Sequence, residues 1–208
     1  MRQVLVALGC GSILPLLAVL VVLSAPVTLT GCDQSEVTTL ITVGAEASTV
    51  AGMIALSANP VTAPFVGVIK IGLNDACAAA IAVLNSANAT MSLQEVLDLA
   101  FSQDPNLSKI LPVINFCLPI IMKIPAVQAA LNQTVQNINP TVKVDVIAFF
   151  TGIQNALGGP LTQERLAQIL KANPRINAAG LKAAAAGDFD PNALVNAVTN
   201  AIQSEGKK

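Results

Sequence analysis

The sequence predicts an all-α fold, an irregular helical bundle of about seven to nine helices built from helical hairpins. Three observations predict it. Asn-Pro and Asp-Pro pairs punctuate the chain at Asn59-Pro60, Asp104-Pro105, Asn139-Pro140, Asn173-Pro174 and Asp190-Pro191. At a helix start an Asn or Asp side chain accepts from a free N–H, and proline at the next position loses no hydrogen bond and has its φ already set. Between the pairs apolar residues recur at helical spacing, and the one stretch that alternates like a strand, 141–146, has no second strand to pair with. The apolar content is 53% of 208 residues, chiefly Ala, Val, Ile and Leu, with six Phe and no Trp or Tyr, which suits closely packed helices.

The first helix is expected at about residues 35–58, where Gly44, Ser48 and Gly52 recur every four residues as a smooth stripe. The second, at about 64–87, carries a similar stripe in Gly72, Ala76 and Ala80, so the two are expected to meet as an antiparallel hairpin. In a membrane the same spacing favours helix association. Glu46, Lys70 and Asp75 interrupt both stretches, however, and a charge at mid-bilayer costs about 3 kcal/mol, so close-packed helices outside the bilayer are expected. Ser92-Leu93-Gln94-Glu95 is a capping box and opens a short amphipathic helix over 92–103.

The most apolar stretch after the N-terminal run is Ile110–Ile124, which Pro112, Pro119 and Pro125 are expected to break into a kinked core element holding Cys117. The other reading of that stretch is a surface for lipid or an apolar ligand. Residues 141–157 read as a helix because Val142, Val146, Phe149, Ile153 and Leu157 share one face, and Gly158-Gly159-Pro160 ends it. Helices at about 162–172, 175–186 and 191–203 complete the set, followed by a polar tail at 205–208. The Pro pairs at 104, 139 and 173 lie 35 and 34 residues apart, which makes a short α-solenoid the alternative architecture.

The N-terminus carries the strongest indication of place. Arg2 precedes a long apolar run, Val4–Leu29, which ends in Leu29-Thr30-Gly31-Cys32. A basic start, an apolar middle and small residues at the cleavage site make a secretory signal, and the tetrad resembles the lipobox of bacterial lipoproteins. The resemblance covers residues 1 to about 33. It implies that the Cys32 thiol receives a diacylglyceryl group, that the chain is cut between Gly31 and Cys32, and that the new amine is acylated by palmitate or a similar chain. Each buried methylene contributes about 0.8 kcal/mol, so several chains anchor stably. The same run is long enough to span a bilayer uncleaved, but Pro15 and Pro26, with Ser24 and Thr28 near its end, argue against a regular span. Residues 1–31 are thus expected to be a signal peptide and 32–208 a single all-α domain in the bacterial cell envelope, outside the cytoplasm. Asp33 resembles an inner-membrane retention signal of enteric bacteria, and the leaflet stays open.

Cysteine usage and charge restrict what the domain can do. With Cys10 removed and Cys32 acylated, Cys77 and Cys117 remain, and an even pair in an exported domain suggests a disulfide, with two buried free thiols as the alternative. No basic surface is implied by a net charge of −1, so nucleic acid is not an expected partner. The absence of histidine excludes a histidine-dependent triad and a His-ligated zinc site. No P-loop sequence is present. Asp188-Phe189-Asp190-Pro191-Asn192 begins like a calcium loop but has Ala193 and Thr199 where Gly and an acid are needed. Glu95 and Asp98, one turn apart, read as a solvated face, and so do Glu164, Arg165 and Lys171.

No catalytic residue, metal site or cofactor is therefore expected. The expected role is a non-enzymatic binding or scaffold module at the membrane surface, its partner an envelope protein or an apolar ligand. Two alternatives stand beside it. One is a carrier of an apolar ligand or lipid. The other is a membrane-active protein, pore-forming or of the phage-exclusion type, that inserts residues 35–87.

Overall fold

The longest helix, α1 (Gln34–Ala58), is also the most enclosed. In the computed structural model, which describes residues 34–102, 107–176 and 191–205, its buried residues run from Leu40 to Leu56 and point to every side. All of these residues belong to the second of two units into which the chain divides, Gly31–Lys208. A helix apolar all round belongs inside a domain. A short 3-10 turn (Ala63–Phe65) leads into α2 (Val66–Asn85). There follow α3 (Leu93–Ser102), α4 (Leu107–Met122), α5 (Pro125–Ala130), α6 (Pro140–Gly158), α7 (Gln163–Ala172) and α8 (Pro191–Glu205). Among the described residues there is no strand, only a single bridge between Ser92 and Thr134.

The expected all-α bundle is what forms, and α1 is its centre. Helices α4, α6, α7 and α8 all pack on α1, whereas repeats of a solenoid would touch only their neighbours. Gln34 reaches Asp145 and Thr42 lies at Gly152, so α1 and α6 run parallel. Lys70 Nζ donates to the Gly159 carbonyl at 3.5 Å and Gln154 Nε2 to the Asn74 carbonyl at 3.4 Å, so α2 runs antiparallel to α6. Phe101, Phe149 and Phe150 stack in the core with ring centres 5.4–6.3 Å apart.

The expected hairpin of the first two long helices is not a packing unit. Helices α1 and α2 barely touch, and α2 packs instead on α6 and α3. The small-residue stripe of α1 is used, but by other partners. A Cβ on Gly44 would lie 2.6 Å from Val198 of α8, and one on Gly52 would lie 2.9 Å from Phe116 of α4. On α2 the inward face is Ile69, Leu73, Cys77, Ala80 and Leu84; Gly72 is exposed and Ala76 half-buried, so only Ala80 of that expected stripe is buried. Local spacing identified faces able to approach closely, without specifying which element approaches.

The closest approach comes from the other side, where a Cβ on Gly152 of α6 would run into the Thr42 carbonyl and sit 2.8 Å from the Ala45 Cβ. Gly152→Ala is expected to destabilise by about 1–3 kcal/mol, since two helix backbones must separate. Gly158→Ala, which meets no neighbour within 4 Å, is the control and should leave the denaturant midpoint close to wild type.

The Asx-Pro reading holds where its geometry can form. Asn139 Oδ1 accepts from the Thr141 N–H at 2.9 Å, with Pro140 opening α6, and Pro191 opens α8. At Asn59-Pro60 the side chain accepts from the Val61 N–H at 2.9 Å, which makes a turn ahead of the 3-10 segment and not a helix start. Asn173 stands between two helical stretches: its Nδ2 donates to the Ile169 carbonyl at 2.9 Å at the end of α7, and residues 174–176 directly after it are helical, as its pairing with Pro174 predicts. The capping box forms as expected, with the Ser92 N–H donating to Glu95 at 2.6 Å and the Glu95 N–H donating to Ser92 Oγ at 3.2 Å.

The expected breaks at Pro112 and Pro119 do not occur. Helix α4 runs through both and stops before Pro125. Each missing N–H weakens the helix, but Val113, Cys117, Ile120 and Ile121 are buried along the same element and hold it in place. Asp104-Pro105, the remainder of the expected 175–186 helix beyond Ile176, and Asp188–Asp190 of the calcium-like segment lie outside the described residues.

Candidate functional site

Gly31 and Cys32 lie outside the described residues, and the structure takes up the chain at Gln34, two positions after the cysteine. The first turn of α1 is tied into the bundle. Gln34 Nε2 donates to Asp145 Oδ1 at 2.8 Å. Asp145 is only 5% exposed, and burial pushes its carboxyl up to about 6 against the lowering effect of the Gln34 amide. Beside it Arg175 bridges Glu36 at 2.8 Å and Glu205 at 2.9 Å, and these carboxylates hold its guanidinium above the ordinary value. An open cleft of about 260 Å³ lies there, between Ser35–Leu40 and Ala172–Arg175.

At the middle of α1, Glu46 and Arg165 form a mostly buried ion pair at 2.9 Å. The guanidinium also donates to the carbonyls of Asn155 at 2.7 Å, Ala156 at 3.2 Å and Pro160 at 3.3 Å. Asn155 and Ala156 belong to the last turn of α6, where a helix runs out of its own N–H donors, and Pro160 lies just past its end. A side chain at Gly159 would collide with this guanidinium, which is why that position has none. The sequence reading of Arg165 as exposed helix charge is therefore corrected. Nothing local marks a partner 119 residues away.

The two candidate cysteines sit in the core as free thiols, both 0% exposed. The expected bridge between Cys77 and Cys117 is not made. Each thiol fills space between helices as a small apolar group, and Cys117 Sγ donates weakly to the Ile114 carbonyl at 3.8 Å. Burial pushes both thiols well above the ordinary range, and the nearby Cys117 raises Cys77 further. Neither should react with an alkylating reagent in the folded protein, and both should react in denaturant, as peptide masses would show.

Glu95 is exposed and held below the usual carboxylate range by its Ser92 hydrogen bonds, and Asp98 accepts from Gln94 Nε2 at 3.0 Å. Both belong to local helix chemistry. Among the described residues no three His, Cys, Asp or Glu side chains converge as a metal site would require.

What stands out is an apolar surface. The 3-10 turn and α2 together (Ala63–Asn85) are long and apolar enough to cross a membrane, yet only 22% of their most apolar stretch is buried. The equally apolar α1 is 67% buried by the same measure, as a core helix is. Val61, Val68 and Ile71 are 71%, 59% and 65% exposed. Around them Pro64, Gly67, Ala78 and Ala82 are also exposed, and Asp75 is the one charged residue on that face. A second apolar feature is an open groove of about 380 Å³ on α4, lined by Ile114, Leu118, Pro119 and Met122, with Lys123 at its rim.

No family model, curated protein or solved structure matches this chain.

Proposed function

We propose that this protein is a bacterial lipoprotein, anchored by acyl chains on Cys32 to a membrane of the cell envelope, whose helical domain lies outside the cytoplasm and acts as a non-enzymatic binding or scaffold module. The observation that carries the binding role is the bare outer face of α2. A large apolar surface left exposed by a domain that buries its other long helix so fully is a docking surface. Anchoring rests on Leu29-Thr30-Gly31-Cys32 and the apolar run before it.

The test is the intact mass of the membrane-fraction protein beside a Cys32→Ser variant. The expected result is a chain starting at Cys32 and carrying acyl groups, with the variant unacylated and retaining residues 1–31. An unmodified chain with Met1 retained would sink the anchoring and leave Val4–Leu29 as the span.

A carrier role has one observation in its favour, the α4 groove, which is open to solvent and not enclosed as ligand sites usually are. Lipid copurifying with the protein and lost on Leu118→Asp would support it. Insertion of residues 35–87 as a hairpin has less support, because α1 would have to leave the centre of the bundle.

A further inference from the structure

We infer that the open groove on α4 binds a single-chain fatty acid, its alkyl chain lying along Ile114, Leu118 and Met122 and its carboxylate on Lys123. The inference rests on the carrier reading of that groove and names the ligand class.

The shape of the groove selects the chain. Ile114, Leu118 and Met122 recur every four residues and so form one ridge of the helix, with Pro119 beside it. Ile114 is buried and makes the floor, while Leu118, Pro119 and Met122 are half-buried and make the walls. The volume of about 380 Å³ lies near the lower end of the roughly 300–1,000 Å³ of ligand sites. That holds one alkyl chain and not the two of a membrane phospholipid. The open side suits a ligand that exchanges with a membrane.

The helix sets the length. Lys123 lies nine positions after Ile114, which is about 14 Å along the axis. An extended chain advances about 1.2 Å per bond, so about ten to twelve carbons reach from the ammonium to the far end.

Charge selects the head. Of the residues that line the groove, Lys123 alone is charged; Asn115 and Gln128 are neutral. Lys123 Nζ donates to Asn196 Oδ1 of α8 at 2.8 Å, a neutral partner that holds the ammonium in place without neutralising it. Among the described residues Lys123 makes no ion pair, whereas Arg165 and Arg175 are both engaged by carboxylates. An ammonium carries three donors, so those not used by Asn196 are left for a ligand carboxylate, and the Gln128 amide adds a donor on the same groove. A fixed, unneutralised cation at one end of an apolar furrow is the complement of a carboxylate on an alkyl tail.

The experiment is photolabelling of the full-length protein in its membrane with decanoic acid that carries a diazirine on its chain, followed by peptide mapping. Label is expected within Ile114–Met122, competed by excess decanoate and about fivefold less well by decanol. Hexanoate should compete about tenfold less well than decanoate, because a shorter tail leaves part of the ridge uncovered. Lys123→Gln should lower the labelling about fivefold and Lys123→Arg should keep most of it. Leu118→Asp should abolish it, and Ile71→Lys on the outer face of α2 should leave it unchanged. Groove labelling that ignores Lys123→Gln and is competed equally by decanol overturns the fatty acid and leaves an apolar carrier standing. Label lost with Ile71→Lys but not with Leu118→Asp moves the site to α2 and overturns the inference. No label in the groove overturns the inference and the carrier reading together, and the anchoring, read from the mass of the same sample, is untouched by either result.

Discussion

Replacing Arg165 with alanine is expected to cost about 3–5 kcal/mol. The substitution leaves the mostly buried Glu46 side chain on the central helix without its partner, and it takes a donor from the carbonyls of Asn155, Ala156 and Pro160. Glu46→Gln should cost less, because an amide remains able to accept from the guanidinium and no buried charge is stranded on the acid side. Arg165→Lys should fall close to alanine: an ammonium can satisfy the charge but cannot reach three carbonyls and a carboxylate from one plane. Denaturant midpoints of the three variants give the ranking, and a smaller loss for Arg165→Lys than for Glu46→Gln would show that charge alone, and not the fork, holds the α6 terminus.

Stability is expected to rise as the pH falls from 7 towards 4, and Asp145 is the cause. Its carboxyl titrates at about 6 in the fold against an ordinary value of 3.8. A folded value above the unfolded one means that the native state binds the proton more tightly, so acid favours folding. The penalty for keeping Asp145 ionised is fully present above pH 6, declines between about 6 and 4, and is gone below that range. A shift of roughly two units corresponds to about 3 kcal/mol. Asp145→Asn should therefore stabilise the protein at pH 7 by up to that amount and flatten the profile between pH 4 and 6. Below that window the trend reverses as Glu95, held low by Ser92, loses its cap. Urea midpoints at pH 4, 5.5 and 7 for wild type and variant decide the matter. A wild-type midpoint highest at pH 7 would mean that the Gln34 hydrogen bond outweighs desolvation.

Much of the helical architecture was legible because it is written in local chemistry. The capping box at Ser92 and the Asn139 cap operate as their side chains require, and the face through Val142, Val146, Phe149 and Ile153 is buried. Asp145 was missed, although it falls three residues after Val142 and four before Phe149, on the face that had to be buried. What local chemistry cannot encode is partnership between distant elements. The glycines of α1 announced close contact but not that Val198 and Phe116 would make it. Glu46 and Arg165 each look like surface charge until the fold brings them together. The prolines of α4 were misread for a related reason: the cost of a missing N–H is local, and the burial that outweighs it is not. The bare face of α2 was hidden in the same way, since its inward and outward sides are both apolar and only the packing tells them apart.

The position of α1 has a mechanical meaning. In most tethered domains the attachment is to the periphery, and a tug first peels an edge. Here the proposed anchor is joined, one residue later, to the helix around which the others are gathered. Under that proposal, a pull on the anchor would travel along the axle of the bundle, and Gln34 on Asp145, with Arg175 across Glu36 and Glu205, would be the first pins to bear it. A pull applied at Gln34 is thus shared by every helix gathered on α1 and not taken up by one edge.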